Sequence, residues 1–175
     1  MACSLDGFIA GPGDDLSFLD APAPPDSAPA HPDALQFSAL MEQVGAMLMG
    51  RRTYDVIAQM EVWGYGETPV LVATHRALKG APASVRPVTG DIHALVEQAV
   101  EVADGKDVYL DGGNIIRQAL DAGLVDELCI TMVPVLLGGE GVRLFDGLLN
   151  THKLEFVAHH TFDLGMVQLT ARPRG

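Results

Sequence analysis

Strand-like and helix-like segments alternate along most of the 175-residue chain, and this alternation predicts a three-layer α/β/α fold. The composition supports a real core, because 48% of the residues are hydrophobic and only 19% are charged. Strand-like segments follow one another without helices near the C-terminus. The sequence therefore predicts one α/β domain over residues 1–175, with a mixed, mostly parallel sheet of about eight strands and an antiparallel C-terminal edge.

Each element follows from periodicity and from the residues that end it. The expected strands cover residues 4–10, 46–49, 69–74, 85–89, 107–110, 128–137, 154–162 and 166–172. The expected helices cover residues 34–45, 51–60, 92–103 and 114–122. Gly123 is expected to cap the fourth helix, and residues 163–165 to form a tight hairpin turn. The segment 20–33 holds five of the eleven prolines, which predicts a stiff surface loop.

Charge and composition exclude several classes of partner. A formal net charge of −12 opposes general binding to nucleic acid and to anionic lipid, so neither partner is expected. No apolar run reaches the length of a membrane span, and the first residues lack the basic region of a secretory signal. Cys3 and Cys129 form no ligand or redox motif. We therefore expect a cytoplasmic protein.

The junction of the 107–110 strand with the following helix is a candidate pyrophosphate site. Asp111 precedes Gly112 and Gly113, and the helix continues through Asn114 and Ile115. Paired glycines let a phosphate approach the backbone, and the helix dipole favours an anion there. The same residues are also compatible with a tight strand–helix turn and no ligand.

Two further junctions carry cations. Gly50 ends a strand and leads into Arg51, Arg52 and Thr53, where arginine opposes the helix dipole. Such a cost indicates a role in holding phosphate oxygens, although solvated surface arginines are the simpler alternative.

After the 69–74 strand come Thr74, His75 and Arg76, with Lys79 close behind. This group suits a terminal phosphate monoester such as the 2′-phosphate of NADP, and its alternative is a plain basic loop. Four of the eleven lysines and arginines lie between residues 51 and 79, which favours an anion site.

Other reactive patterns are weak. Residues 138–141 do not match a dinucleotide fingerprint or a P-loop, and are expected to form a bulge or crossing turn, or to let the backbone approach a cofactor. His159 and His160 should point to opposite faces of a strand, so no metal site is expected.

Four motifs in this order resemble the dihydrofolate reductase-like superfamily. They are SLDGFIA at residues 4–10, MGRRTY at 49–54, LDGG at 110–113 and PVLLGGEGVRLF at 134–145. The resemblance covers residues 4 to about 171. Within the superfamily the chain is most similar to the C-terminal reductase domain of the bifunctional deaminase–reductases of riboflavin biosynthesis.

The resemblance implies an NADPH-dependent reductase of a small heterocyclic substrate, by default a ribosylamino-pyrimidine phosphate, and a homodimer. The residues that would contact NADPH are those of the three junctions, with the segment from Ser4 to Ala10 bordering the nicotinamide and substrate. Asp6 and Asp111 are the candidates for polarising the substrate or relaying a proton, with pKa values raised beside an anionic cofactor. Asp6 can equally serve only as the turn residue before Gly7.

Two departures from the family pattern keep alternatives open. A lysine usual in the riboflavin reductases would fall at Met1, and an Asp-Trp pair common in related small proteins is replaced by Ser17 and Phe18. One alternative is a dihydrofolate reductase in which Asp20 or Asp33 reaches the pterin. The other is a non-catalytic nucleotide- or flavin-binding module on the same fold.

Overall fold

The computed structural model describes residues 1–20 and 29–174, and their contacts divide the chain into two compact units. The first unit comprises residues 1–35 and 125–175, and the second comprises residues 36–124. Most of the proline-rich loop expected at 20–33, namely residues 21–28, lies outside the described residues. The expectation of a single domain stays a prediction.

The second unit is a parallel sheet with helices on both faces. Its elements are α1 (Phe37–Gln43), β3 (Val44–Gly50), α2 (Arg51–Ile57), β4 (Val70–Ala73), β5 (Val85–Val88), α3 (Ile92–Ala103), β6 (Asp107–Asp111) and α4 (Gly113–Asp121). The strand order is β5-β4-β3-β6, with every pair parallel.

Alternation along β3 separates two hydrophobic cores. Met47 and Met49 pack on one face with residues of α1 and α2. Ala46 and Leu48 pack on the other face with residues of α3 and α4. The three-layer α/β/α arrangement predicted from the sequence is therefore present in this unit.

The first unit carries the antiparallel strands. Its strands are β1 (Ala2–Ser4), β2 (Phe8–Ala10), β7 (Leu128–Val133), β8 (Val142–Arg143), β9 (Leu154–Thr161) and β10 (Val167–Pro173). One sheet has the order β1-β7-β10-β9, in which β1 and β7 are parallel and the last two pairings are antiparallel; β2 and β8 form a separate antiparallel pair. The antiparallel C-terminal edge is confirmed, although the described residues contain ten strands rather than about eight.

The prediction of one continuous strand at residues 4–10 is wrong. A turn divides it into β1 and β2, because the Gly7 N–H bonds to the Ser4 carbonyl at 2.9 Å and Gly7 adopts a φ of +85°. The expected strand at 128–137 ends early because Pro134 has no N–H. The Val135 N–H instead bonds to the Val133 carbonyl at 2.8 Å.

Two expected helices are shorter than predicted. The helix expected at 34–45 begins at Phe37, because Gln36 is extended, and ends before Val44, which already pairs with β6. The helix expected at 51–60 ends at Ile57. Helix α3 and the turn Asp163–Gly165 match their predicted bounds, and Gly123 follows α4 with a φ of +68°.

Candidate functional site

The three predicted junctions lie side by side at the carboxyl edge of the second unit's sheet. Gly50 at the end of β3 pairs with Ala73 at the end of β4, and Met49 pairs with Asp111 at the end of β6. Ligands of open α/β sheets bind at this edge, beside the helix N-termini that follow the strands. The fold therefore places the three junctions that the sequence marked as anion-binding at one edge of the sheet.

A cationic pocket of about 430 Å³ opens next to these junctions. Its lining residues are Arg51, Tyr54, Asp55, Ala58, Arg76, Ala77 and Lys79. Three cations and one carboxylate leave a formal charge of +2. In a chain of net charge −12, this is a local reversal of sign that favours an anionic ligand.

Asp55 lies between the two arginines of this cationic pocket. Its Oδ1 accepts a hydrogen bond from Arg51 Nε at 2.7 Å, and its Oδ2 lies 3.9 Å from an Arg76 terminal nitrogen. The Arg51 side chain is only 23% exposed, whereas that of Arg76 is 71% exposed. Arg51 is therefore fixed in place, while Arg76 extends into solvent with donors available to a ligand.

The other predicted members of these two junctions have different surroundings. Arg52 and His75 are exposed, and neither lines the cationic pocket. Thr74 Oγ1 accepts a hydrogen bond from the Arg76 backbone N–H at 3.1 Å, which shapes the loop that carries Arg76. Thr53 lies beside Gly112, at the junction of β6 with α4, rather than in the cationic pocket.

The junction of β6 with α4 depends on a glycine in a left-handed backbone conformation. Gly112 has a φ of +84°, a conformation that favours glycine, and α4 begins at Gly113 without a side-chain cap. Ile115 is buried beside Gly50, and exposed Asn114 accepts a hydrogen bond from Gln118 at 2.5 Å. The positive end of the α4 dipole therefore lies at the edge of the sheet.

Asp111 is a buried carboxyl group at this junction. It is 9% exposed, and its Oδ2 accepts a hydrogen bond from the Tyr65 hydroxyl at 3.3 Å. Burial raises the pKa of Asp111, and burial together with the nearby carboxylate raises the pKa of Tyr65. The expected upward shift thus occurs at Asp111 with burial as its cause, and a buried carboxyl of raised pKa can hold a proton for transfer.

Asp6 has the opposite electrostatic character. Its Oδ1 accepts hydrogen bonds from Ser4 Oγ at 2.6 Å and from the Leu137 N–H at 3.2 Å, and its Oδ2 accepts one from the Gly138 N–H at 2.8 Å. These hydrogen bonds, led by that from Ser4, lower the pKa of Asp6 to about 2. Asp6 therefore stays ionised and holds two loops of the first unit together, as a turn residue would.

The other two predicted site residues of the first unit, Ser4 and Ala10, are buried and contact neighbouring backbone. Ser4 is fully buried, and its Oγ also accepts a hydrogen bond from the Phe8 N–H at 2.9 Å. Ala10 is buried in β2, and its carbonyl lies where a Cβ at Gly141 would collide with it. The glycine-rich segment 138–141 thus packs closely on β2.

The described residues contain neither a cluster of metal ligands nor a helix able to span a membrane. Within residues 1–20 and 29–174, no three histidine, cysteine, aspartate or glutamate side chains converge as metal ligands would. Among the same residues, no helix combines the length and the apolar character needed to cross a bilayer.

The structure adds Asp55 and Tyr65 to the site residues suggested by the sequence. Asp55 could have been found from its i,i+4 spacing to Arg51 on α2, a spacing that pairs opposite charges. Lys79, which the sequence already placed close behind Arg76, lines the cationic pocket. Tyr65 had no local signal, because its contact with Asp111 spans 46 residues of chain.

Comparison with known proteins identifies the family. Residues 54–168 match the family model of the RibD C-terminal domain. A solved structure from Shewanella sp. PV-4, whose name refers to riboflavin biosynthesis, is 32% identical, covers 100% of this chain and 97% of its own, and has a TM-score of 0.80. The uncharacterized protein YyaP of Bacillus subtilis (strain 168) is 27% identical over 97% of this chain and 90% of its own length.

A more distant solved structure shares the fold. It is a diaminohydroxyphosphoribosylaminopyrimidine deaminase/5-amino-6-(5-phosphoribosylamino)uracil reductase of Thermotoga maritima, 17% identical, with a TM-score of 0.58 over 99% of this chain and 55% of that one. The family model spans well over half of the sequence, and the Shewanella structure matches all of it. The chain therefore belongs to the RibD C-terminal domain family, whose resemblance was already visible in its motifs.

Proposed function

We propose that the chain is an NADPH-dependent reductase of the riboflavin-biosynthesis type, which transfers hydride to a small heterocyclic substrate. The observation that carries this proposal is the cationic pocket at the carboxyl edge of the parallel sheet. Membership of the RibD C-terminal domain family favours this reaction over that of a dihydrofolate reductase. A ribosylamino-pyrimidine phosphate is the substrate class we propose.

The cationic pocket fits the phosphate that distinguishes NADPH from NADH. A phosphate monoester carries a charge of about −1.5 to −2 near neutral pH, which matches the formal +2 of the lining side chains. Arg51 is oriented by Asp55, so less of its side-chain entropy is lost on binding. Arg76 and Lys79 supply further donors at the rim.

The start of α4 fits the pyrophosphate. No side chain caps the first N–H groups of α4, and the positive end of its dipole lies at the carboxyl edge of the sheet, where it favours an anion. The sequence expectation for Gly112, Gly113, Asn114 and Ile115 is kept as part of this proposal.

Bound NADPH would supply the hydride, and the protein must then supply a proton. Reduction of a C=N or C=O group places a hydride on carbon and a proton on nitrogen or oxygen. Asp111 is the proposed donor, because its burial raises its pKa and so favours its protonated form. Asp6 is not proposed as the donor, because its pKa is lowered to about 2.

Cofactor use is tested by titrating the protein separately with NADPH and NADH. Nicotinamide fluorescence and the melting temperature of the protein monitor binding in each titration. Wild-type protein should bind NADPH at least tenfold more tightly than NADH. The Arg76→Ala and Lys79→Ala variants should each lose most of this preference, because each removes a cation from the cationic pocket. Arg86→Ala removes an exposed cation from β5 outside the pocket and should keep it.

Three other outcomes would contradict parts of the proposal. Equal binding of both cofactors would remove the assignment of the pocket to the 2′-phosphate. Tight NADPH binding without oxidation across a panel of pyrimidine, pterin and quinone acceptors would favour the non-catalytic binding module. Turnover of dihydrofolate with antifolate inhibition would favour the dihydrofolate reductase alternative. The homodimer and the cytoplasmic location stay predictions.

A further inference from the structure

Tyr65 is a partly buried titratable residue that has no role in the proposed reaction so far. It lies in the segment between α2 and β4, which carries none of the motifs noted in the sequence. Its hydroxyl donates a hydrogen bond to Asp111 Oδ2 at 3.3 Å. A hydroxyl that donates to one oxygen of a buried carboxyl restricts where the acidic proton of that carboxyl can reside.

An aromatic cluster holds the Tyr65 ring in place. The Trp63 ring packs edge-on against it with centroids 5.2 Å apart, and Phe37 lies 6.3 Å away at an angle of 53°. Trp63 in turn meets Tyr54 edge-on at 6.3 Å. Such contacts fix ring orientation, so the Tyr65 hydroxyl is aimed at Asp111 before any ligand binds.

We propose that Tyr65 is a positioning residue that fixes Asp111 with Oδ2 as the hydrogen-bond acceptor and Oδ1 as the proton-bearing oxygen. This inference rests on the proposed function in giving Asp111 the role of proton donor. When the proton leaves, the O–H bond at Oδ1 breaks and an N–H or O–H bond forms on the substrate as hydride reaches its carbon. The carboxylate left behind keeps the Tyr65 hydrogen bond, and Asp111 regains its proton from water before the next turnover.

The arrangement has two consequences for catalysis. Holding Oδ1 as the donor aligns the proton before the substrate arrives, which lowers the entropy lost in reaching the transition state. The Tyr65 hydroxyl also stabilises the carboxylate as it forms, since hydrogen bonds to charged groups are stronger than those between neutral groups. Both effects act on the chemical step rather than on binding of NADPH.

The infrared band of the protonated carboxyl tests the positioning without any substrate. The C=O stretching band assigned to Asp111 should vanish in Asp111→Asn. In Tyr65→Phe it should persist and move to higher wavenumber, because the C=O group loses its donor. Phe156→Leu, which changes an exposed ring on β9 outside this cluster, should leave the band position unchanged. A band unmoved in Tyr65→Phe would overturn the proposal.

A second measurement does not require a substitution at Tyr65, which protects the test if Tyr65→Phe fails to fold. In protein labelled with ring-¹³C tyrosine, the C–O stretching bands report hydrogen-bond donation by each hydroxyl. One tyrosine band should shift in Asp111→Asn, because Tyr65 loses a carboxyl acceptor. Identical tyrosine spectra in the two proteins would overturn the proposal.

Kinetics separate this inference from the proposed function. Tyr65→Phe should lower kcat by about ten- to a hundredfold, as expected for loss of a hydrogen bond to a charged group, with little change in the Kd of NADPH. In the Asp111→Asn background the same substitution should have no further effect. If no acceptor is reduced, the proposed reaction fails, whereas the infrared results still decide whether Tyr65 orients Asp111.

Discussion

Thr53 Oγ1 on α2 occupies the space beside Gly112 that a Cβ atom at Gly112 would need. Gly112 also has a φ of +84°, so both the backbone conformation and the neighbouring side chain require glycine there. This contact joins two junctions that the sequence suggested separately, the one that follows β3 and the one that follows β6.

The Gly112→Ala substitution should therefore be costly. We expect about 1–2 kcal/mol from the left-handed backbone conformation and about 1–3 kcal/mol more from the overlap with Thr53. Gly105→Ala is the matched control, because Gly105 has a φ of +80° with no atoms near the added Cβ. Urea unfolding of both variants measures the difference. Equal destabilisation, or no partial recovery in Gly112→Ala/Thr53→Ala, would refute the packing argument.

The hydrogen bonds of Asp6 predict that the stability of the folded protein decreases at acidic pH. The pKa of Asp6 is lowered to about 2 in the folded protein and is about 3.9 in an unfolded chain. Its ionised form therefore stabilises the fold above about pH 4, and this contribution is lost as the pH falls toward 2. The stability advantage of wild type over Asp6→Asn should shrink across that window.

Asp146→Asn, which removes an exposed carboxyl of the same unit, is the control for the acid titration. Its difference from wild type should change less over the same window than that of Asp6→Asn. An Asp6→Asn difference that is constant from pH 5 to pH 2 would show that the loop hydrogen bonds do not depend on the ionised carboxylate.

The raised pKa of Asp111 predicts a contribution to folding stability with the opposite dependence on pH. Burial raises its folded pKa above the unfolded value, so the folded state holds a proton that the unfolded chain releases. Stability linked to this group is greatest below about pH 4 and falls as the pH rises through the folded pKa. Asp111→Asn should therefore gain stability relative to wild type with rising pH.

The control is Asp107→Asn, an exposed carboxyl on the same strand β6. Melting temperatures between pH 4 and pH 8 would measure both variants. If Asp111→Asn and Asp107→Asn change in parallel, burial does not hold the Asp111 proton, and the assignment of Asp111 as proton donor loses its basis.

The sequence predicted best those elements that are specified locally. Helix α3 has an apolar face at helical spacing, and Asp91 caps it by accepting the Ala94 N–H, so its bounds match the prediction. The split of β1 from β2 was missed because a short apolar run looks like one strand. The hydrogen bond from the Gly7 N–H to the Ser4 carbonyl and the positive φ of Gly7 reveal the turn.

The candidate site was predictable where chemistry follows a strand end directly. Arg51, Arg76 and Gly112 were predicted to lie close together because junctions of parallel strands meet at one edge, and the structure places all three junctions there. Tyr65 was missed because its contact with Asp111 spans 46 residues of chain. The opposite pKa shifts of Asp6 and Asp111 depend on burial and hydrogen bonds that no local pattern specifies.

The central claim is that the cationic pocket recognises a 2′-phosphate. Separate calorimetric titrations of the protein with adenosine 2′,5′-bisphosphate and with ADP test it most directly. The two ligands carry the same base and sugar and differ in where the second phosphate is attached. Wild-type protein should bind the 2′,5′-bisphosphate at least tenfold more tightly, with a preference that weakens at high salt and disappears in Arg76→Ala/Lys79→Ala. Equal affinity for the two nucleotides, or a preference unchanged in that variant, would contradict the claim.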